Sequence, residues 1–320
     1  MKIKKTFRYI VYLRIIPIIF LFFLPCISLG QTDLSKLLAD DSTSGHQKVT
    51  AIFKTTRIID CQSLETVKKK NLDFRITHRF GNVAGTSGGG SHQLYGFDNS
   101  ADIRVAFEYG ITDRLTAGFS RSKKNENLEG LLKFRLLEQT TDNHIPLAIV
   151  LFTNAALTTA ANTTGDFDKF SHRLSYTFQG IIGRKFSSKL SLEVLPSMVH
   201  RNFVSNYYTD ASSNFIYDKN DFFSIGIGGR IRISKHSALI SDYFYNLSSF
   251  QQHYKNAGGE KAFFNSLAVG YEIETGGHVF SIMFSNSAGI IENEFIPNTT
   301  DSWLKGGFKF SFNISRTFKM

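Results

Sequence analysis

Residues 71–80 read NLDFRITHRF. Leu72, Phe74 and Ile76 alternate with Asp73, Arg75 and Thr77, so every second side chain is apolar and those between are polar or charged. Alternation with period two marks a strand with one dry face and one wet face. A soluble sheet lying on its core fits this pattern. A strand between lipid and a wet interior fits it equally well, and the rest of the chain decides between them.

Eleven more segments continue the pattern: 102–111, 115–121, 130–137, 146–157, 170–186, 190–199, 222–233, 237–247, 263–274, 278–286 and 305–318. Most are close to the roughly 9–11 residues of a tilted membrane-spanning strand. Short turns (Thr112-Asp113-Arg114, Ser187-Ser188-Lys189, Ser234-Lys235-His236, Thr275-Gly276-Gly277) alternate with the longer loops 81–101, 158–169, 201–221, 248–262 and 287–304. Only the two connections around the fourth strand blur this order. Outer-membrane barrels sort their connections this way, with short periplasmic turns and longer external loops; a soluble sandwich has no reason to. The expected fold is therefore all-β, an antiparallel up-and-down transmembrane barrel of about 12 strands over 71–320, with both ends in the periplasm.

The chain starts with Lys2, Lys4, Lys5, Arg8 and Arg14, followed by an apolar run over 15–24 and by Ser28-Leu29-Gly30. A basic front, a short apolar run and a small-x-small site make a signal peptide, expected to be cleaved near Gly30. The apolar run is too short for a spanning helix, and Pro25 beside Cys26 fits a lipidation site poorly. Residues 31–70 form an expected periplasmic amino segment. It comprises a polar, acidic stretch (34–45), a strand-like stretch (49–59, VTAIFKTTRII) and Lys68-Lys69-Lys70, and it is a candidate cap or plug for the barrel.

The composition agrees with an exported barrel. There are 31 Phe and 12 Tyr against one Trp and five Pro, and no long apolar run follows the signal. Without the five basic residues of 1–30, 32 basic face 27 acidic side chains, a net charge of +5 in place of +10. The basic residues are spread along the chain, so no nucleic-acid partner is expected. Cys61 alone remains after cleavage, which excludes an intramolecular disulfide or a cysteine metal site.

Alternation also assigns faces. Outward candidates include Val105, Phe107 and Tyr109; Leu132, Phe134 and Leu136; Leu174, Tyr176 and Phe178; Ile225, Ile227 and Ile231; Leu267, Val269 and Tyr271; and Phe308, Phe310 and Phe312. A charge facing lipid at mid-depth costs about 2–4 kcal/mol, so the charged set is expected to line the lumen. That set is Asp73, Arg75, Arg104, Glu108, Lys133, Arg135, Arg173, Glu193, Arg230, Arg232, Glu272 and Lys309. Gly226, Gly228 and Gly229 mark a bend or narrow interior packing. Phe318 near the end resembles the closing-strand signal read by barrel-assembly machinery, which is an expected partner along with outer-membrane lipid.

The blocks FKTTRIIDCQSLETVKKKNLDFRITHRFG (53–81), GFDNSADIRVAFEYGITDRLTAGFSRS (96–122) and GLLKFRLL (130–137) resemble a Bacteroidota family of outer-membrane β-barrels of unknown function. The resemblance runs from about Phe53 through the barrel and is densest over 53–135. It implies a membrane-embedded barrel and brings no catalytic residues.

No catalytic, cofactor or metal residues are expected. His78 in H-R-F-G has no partner at ligand spacing, and the nine His include no H-x-x-x-H pair. GTSGGGSH (85–92) lacks the Lys-Ser/Thr and strand-to-helix setting of a phosphate loop. Ser171 and His172, as neighbours on one strand, would point to opposite faces, and there is no G-x-S-x-G elbow. The lumen charges are the informative set. Two functions follow: a narrow pore or small-solute transporter with an anion-favouring path, or a non-conducting barrel, locked by charge pairs, that docks a periplasmic partner through its loops or amino segment.

Overall fold

The computed structural model describes residues 46–85, 89–163, 165–204, 208–209, 215–216, 218–256 and 258–320. The expected signal peptide, the stretch 34–45 and part of the Gly-rich loop at 85–92 lie outside the described residues. Twelve strands close into one barrel: β1 (Asn71–Asn82), β2 (Ser100–Gly110), β3 (Leu115–Ser122), β4 (Asn127–Leu137), β5 (Ala148–Thr158) and β6 (Leu174–Lys185), then β7 (Leu190–Arg201), β8 (Asp221–Arg232), β9 (Ser237–Asn246), β10 (Ser266–Thr275), β11 (His278–Ser285) and β12 (Lys309–Lys319). Each strand pairs with the next in sequence, and β1 closes antiparallel on β12 with Asn71 opposite Lys319 and Ile76 opposite Ile314. Closure leaves no free edge, so every ladder amide has a partner without help from lipid.

The two faces follow the alternation. On β1, Asp73, Arg75, Thr77 and Arg79 are buried inside while Phe74, Ile76, His78 and Phe80 face out. Phe107, Leu132 and Ile227 are 44%, 49% and 52% exposed, and they belong to the band that meets lipid. His78 stands on this outer face, stacked 5.6 Å from Phe312.

Three strands start three or four residues later than expected. Residues 170–173 form a 3-10 turn ahead of β6, β10 starts at Ser266, and β12 starts at Lys309. Ser171 and His172 therefore lie in a turn, where strand alternation says nothing about their relative direction; the His172 ring stacks 5.6 Å from Phe203.

The irregular connections around β4 also have a cause. The link from β3 to β4 is only a tight turn built on Lys124–Glu126. The link from β4 to β5 is longer because it receives the amino segment: Lys48 bridges Thr140, and the Val49 amide donates to the Gln139 carbonyl at 2.8 Å.

The hydrophobic core lies inside the barrel. Val150, Phe152, Ile181, Leu195, Val199, Phe222, Ile240 and Phe244 point inward from the β5–β9 wall. They meet Ile52, Phe53, Ile58, Ile59 and Leu64, which enter from the short-turn end, and Phe295 and Ile296, which enter from the long-loop end. Phe295 belongs to the short helix α1 (Glu292–Phe295), all of whose side chains are buried. Each large apolar side chain enclosed here contributes about 1.5–3 kcal/mol. The glycines at 226 and 228 serve this close packing. A Cβ at 226 would stand 2.5 Å from the Phe244 ring, and one at 228 would stand 2.8 Å from Ile58 Cδ1.

Candidate functional site

The amino segment 52–67 runs through the interior with little secondary structure; only Arg57 and Gln62 form a bridge. Its backbone polar groups must still be satisfied, and the barrel wall supplies the partners. Asp242 Oδ2 accepts from the amides of Asp60 and Cys61 at 2.8 and 3.1 Å, and Glu193 Oε2 accepts from the Leu64 amide at 3.2 Å. Lys133 Nζ donates to the carbonyls of Thr56 and Glu65 at 2.6 and 3.0 Å. Arg75 donates to the Arg57 carbonyl at 3.2 Å and to Thr56 Oγ1 at 3.3 Å. Ser191 Oγ donates to the Ile52 carbonyl at 2.6 Å, and Thr116 Oγ1 accepts from the Val67 amide at 2.9 Å. The wall charges thus act as a substitute ladder for an irregular chain.

The insert also meets the long-loop connection between β11 and β12. Arg57, 1% exposed, donates to Glu292 Oε1 at 2.7 Å, the Ile290 carbonyl at 2.9 Å and the Asp60 carbonyl at 2.6 Å. Gln62 Nε2 donates to the same Glu292 oxygen at 3.0 Å. Arg79 pairs with Asp60 and donates to the Gly289 carbonyl at 2.7 Å. Chain from one end of the barrel is thereby bonded to chain from the other, with both partners dry.

Of the expected lumen set, Asp73, Arg75, Arg104, Glu108, Lys133, Glu193, Arg230, Glu272 and Lys309 are buried inside. Arg104 pairs with Glu129 at 2.7 Å, Arg230 with Glu272 at 2.8 Å and Lys309 with Asp301 at 2.6 Å. Arg75 stands 3.9 Å from Asp73, whereas neither carboxylate oxygen of Glu108 has a hydrogen-bond partner among the described residues. Arg135 is half-buried at the short-turn mouth, 3.0 Å from Glu138. Two assignments need correction. Arg173 sits in the turn before β6, donating to the Thr158 and Ala160 carbonyls at 3.1 and 2.7 Å, because β6 starts one residue later. Arg232 keeps the inward parity of β8 but is exposed, because it is that strand's last residue.

Sequence reasoning missed Arg79, Glu129 and Asp242 on the wall, and Arg57, Asp60 and Glu292 on the inserted segments. The parity of Asp73, Arg75 and Thr77 already pointed Arg79 inward. No local signal marks Arg57 or Glu292.

At the short-turn mouth, a cavity of about 690 Å³ opens beside the insert, with Glu65, Asp73, Arg114, Arg135 and Glu138 among its lining. Burial alone would raise the Glu138 carboxyl, but the Lys48 hydrogen bond at 2.5 Å and the Arg135 charge outweigh it and hold it below the ordinary range.

No curated protein matches the chain in sequence. Among solved structures, it is similar to the NanC porin (11% identity, 78% of this chain and 100% of that one, TM-score 0.45). It is also similar to the COG4313 outer membrane channel of Pseudomonas putida F1 (13%, 80% and 98%, 0.44). A third similar structure is outer membrane phospholipase A of Escherichia coli (10%, 89% and 98%, 0.39). Likeness at this level is one of fold and says nothing about activity. The family model described as "Membrane bound beta barrel domain (DUF5777)" matches residues 53–318, from the insert through the closing strand. The chain is an outer-membrane β-barrel and belongs to this membrane-bound β-barrel family.

Proposed function

We propose that this barrel is closed and non-conducting at rest, and that it acts as an interaction barrel whose working surfaces are the periplasmic amino segment and the external loops. One observation carries this reading. The apolar core packed between wall, insert and loop occupies the space that a pore would need for water. A water-filled lumen would not place Ile181, Leu195, Val199 and Phe222 inside, each with 0% of its surface exposed.

Residues 52–67 are read as a plug and residues 46–51 as the periplasmic stretch that holds it at the mouth through the Lys48–Thr140 bridge. The short-turn end is periplasmic by the usual arrangement of such barrels. A narrow pore remains the reading for a second state, reached only when a periplasmic partner draws the plug out; the mouth cavity beside the insert favours it. No reaction is assigned. Solute efflux from proteoliposomes tests the proposal: vesicles bearing the full chain should retain small sugars and anions as well as empty vesicles do. Rapid efflux from the unaided full chain would refute closure.

A further inference from the structure

The geometry points to a mechanical link across the membrane: the periplasmic insert and the external loop 287–299 form one two-position element, so a change at either end of the barrel is felt at the other. This inference rests on the closed-barrel reading above and adds what the closed interior does.

The first observation is continuity. Arg57, Gln62 and Asp60 of the insert bond to Glu292 and, through Arg79, to Gly289 of the loop. Each side runs on to its own surface. The insert continues into the periplasmic stretch 46–51, where Lys48 pairs with Glu138 at 2.5 Å and the Thr141 amide donates to the Gln47 carbonyl at 2.9 Å. The loop continues through Asp301, held by Lys309, to the turn Trp303–Lys305, where Leu304 is fully exposed.

Contact alone does not make a coupling; a second position is needed. Glu108 supplies the observation. Its side chain is 1% exposed, it stands opposite Asp73 in the β1–β2 register, and neither of its carboxylate oxygens has a hydrogen-bond partner among the described residues. A buried, unpaired carboxylate is costly. Lys133 and Arg75 lie within its Coulombic reach, but Lys133 Nζ and both Arg75 Nη atoms are bonded to Thr56, Arg57 and Glu65 of the insert, and Arg75 Nε has no hydrogen-bond partner among the described residues. A displacement of the insert away from this wall releases those donors to Glu108. The wall therefore offers two sets of partners, one that holds the insert and one that satisfies Glu108. The external loop, bonded to the insert at Arg57, biases the choice, and linkage makes the bias reciprocal.

Cys61, 0% exposed on the insert, is a built-in reporter. The test uses the refolded full chain with Cys26→Ala, a water-soluble maleimide to label Cys61, and amide exchange to read both ends. Glu292→Gln should speed labelling about 10-fold, the scale of a typical coupling, and should also speed exchange at Val49 and Thr141 at the opposite end. Glu138→Gln, which changes only the periplasmic mouth, should speed exchange at Ile296. Glu108→Gln should slow labelling below that of the parent chain, because the second position loses its partner. Heat-modifiable gel migration confirms that each variant forms the barrel. If Glu292→Gln and Glu138→Gln each act only at their own end, or if Glu108→Gln leaves labelling unchanged, the link is refuted while closure stands. Efflux through the unaided parent chain would refute closure itself.

Discussion

Replacing Arg57 with Met tests the interior most sharply. Arg57 is the shared donor of the two inserted segments, bonded to Glu292 Oε1 at 2.7 Å and to two backbone carbonyls. Without it, Glu292, 0% exposed, keeps side-chain bonds only from Gln62 at 3.0 Å and Asn154 at 3.4 Å among the described residues, in a dry site. Removing one partner of a buried pair costs about 3–5 kcal/mol, mostly through the charge left behind. Replacing both partners with apolar residues of similar volume is often neutral or stabilising. Arg57→Met alone should therefore destabilise by about 3–5 kcal/mol, and Arg57→Met with Glu292→Leu should recover most of that loss. Urea unfolding from lipid vesicles, followed by the fluorescence of the chain's one tryptophan, Trp303, gives the double-mutant cycle. A single variant within about 0.5 kcal/mol of the parent, or a double variant whose loss is the sum of the two singles, would show that the pair does not couple.

Three further outcomes follow from other parts of the structure. The Glu138 carboxyl titrates below its ordinary range, so its contribution is fully present above the unfolded value, 4.5, and is lost as pH falls through the lower folded value. Amide exchange at Val49 and Thr141 should therefore show no Glu138-dependent change between about pH 5 and 8 and should rise in acid; a step near neutrality would refute the assignment. Gly226→Ala should cost about 1–3 kcal/mol, because the new methyl meets Phe244 at 2.5 Å and that ring is itself packed edge-to-face against Phe295. Measured stability equal to the parent would mean that this wall is looser than described. Leu132→Arg, on the outer face, should cost about 2–4 kcal/mol in lipid vesicles, whereas no loss would place Leu132 away from lipid.

The barrel was legible in the sequence because its outer face is simple. Lipid favours apolar side chains, so residues such as Phe107, Leu132 and Ile227 recur at period two, broken only here and there, as at His78 and Ser241. The inner face was legible only where it is charged, as along β1 and at Arg104, Glu108 and Lys133. On β9 the inward positions Ala238, Ile240, Asp242 and Phe244 are mostly apolar, since they pack on the insert and loop, and this hid Asp242. Glu129 lay one residue outside the expected bounds of its strand. The strand-like stretch 49–59 is apolar for the same reason as the β9 interior: its side chains complete a core. It forms no long strand because Glu193, Asp242 and Lys133 satisfy backbone that a ladder would otherwise pair. The meeting of Arg57 with Glu292 joins residues 235 apart, and nothing in either local sequence announces it.

The central claim is that the chain before the barrel is folded inside it, and a cross-link tests this most directly. A Cβ at position 228 on β8 would stand 3.1 Å from Cys61 Sγ, within reach of a disulfide after small adjustment. Mild oxidation of the folded Cys26→Ala, Gly228→Cys chain should join residues 61 and 228 within one molecule, seen by mass spectrometry of the digest, while Leu132→Cys on the outer face should give no such bond. A folded barrel in which Cys61 and the residue 228 thiol stay unlinked and both label freely would contradict the filled interior.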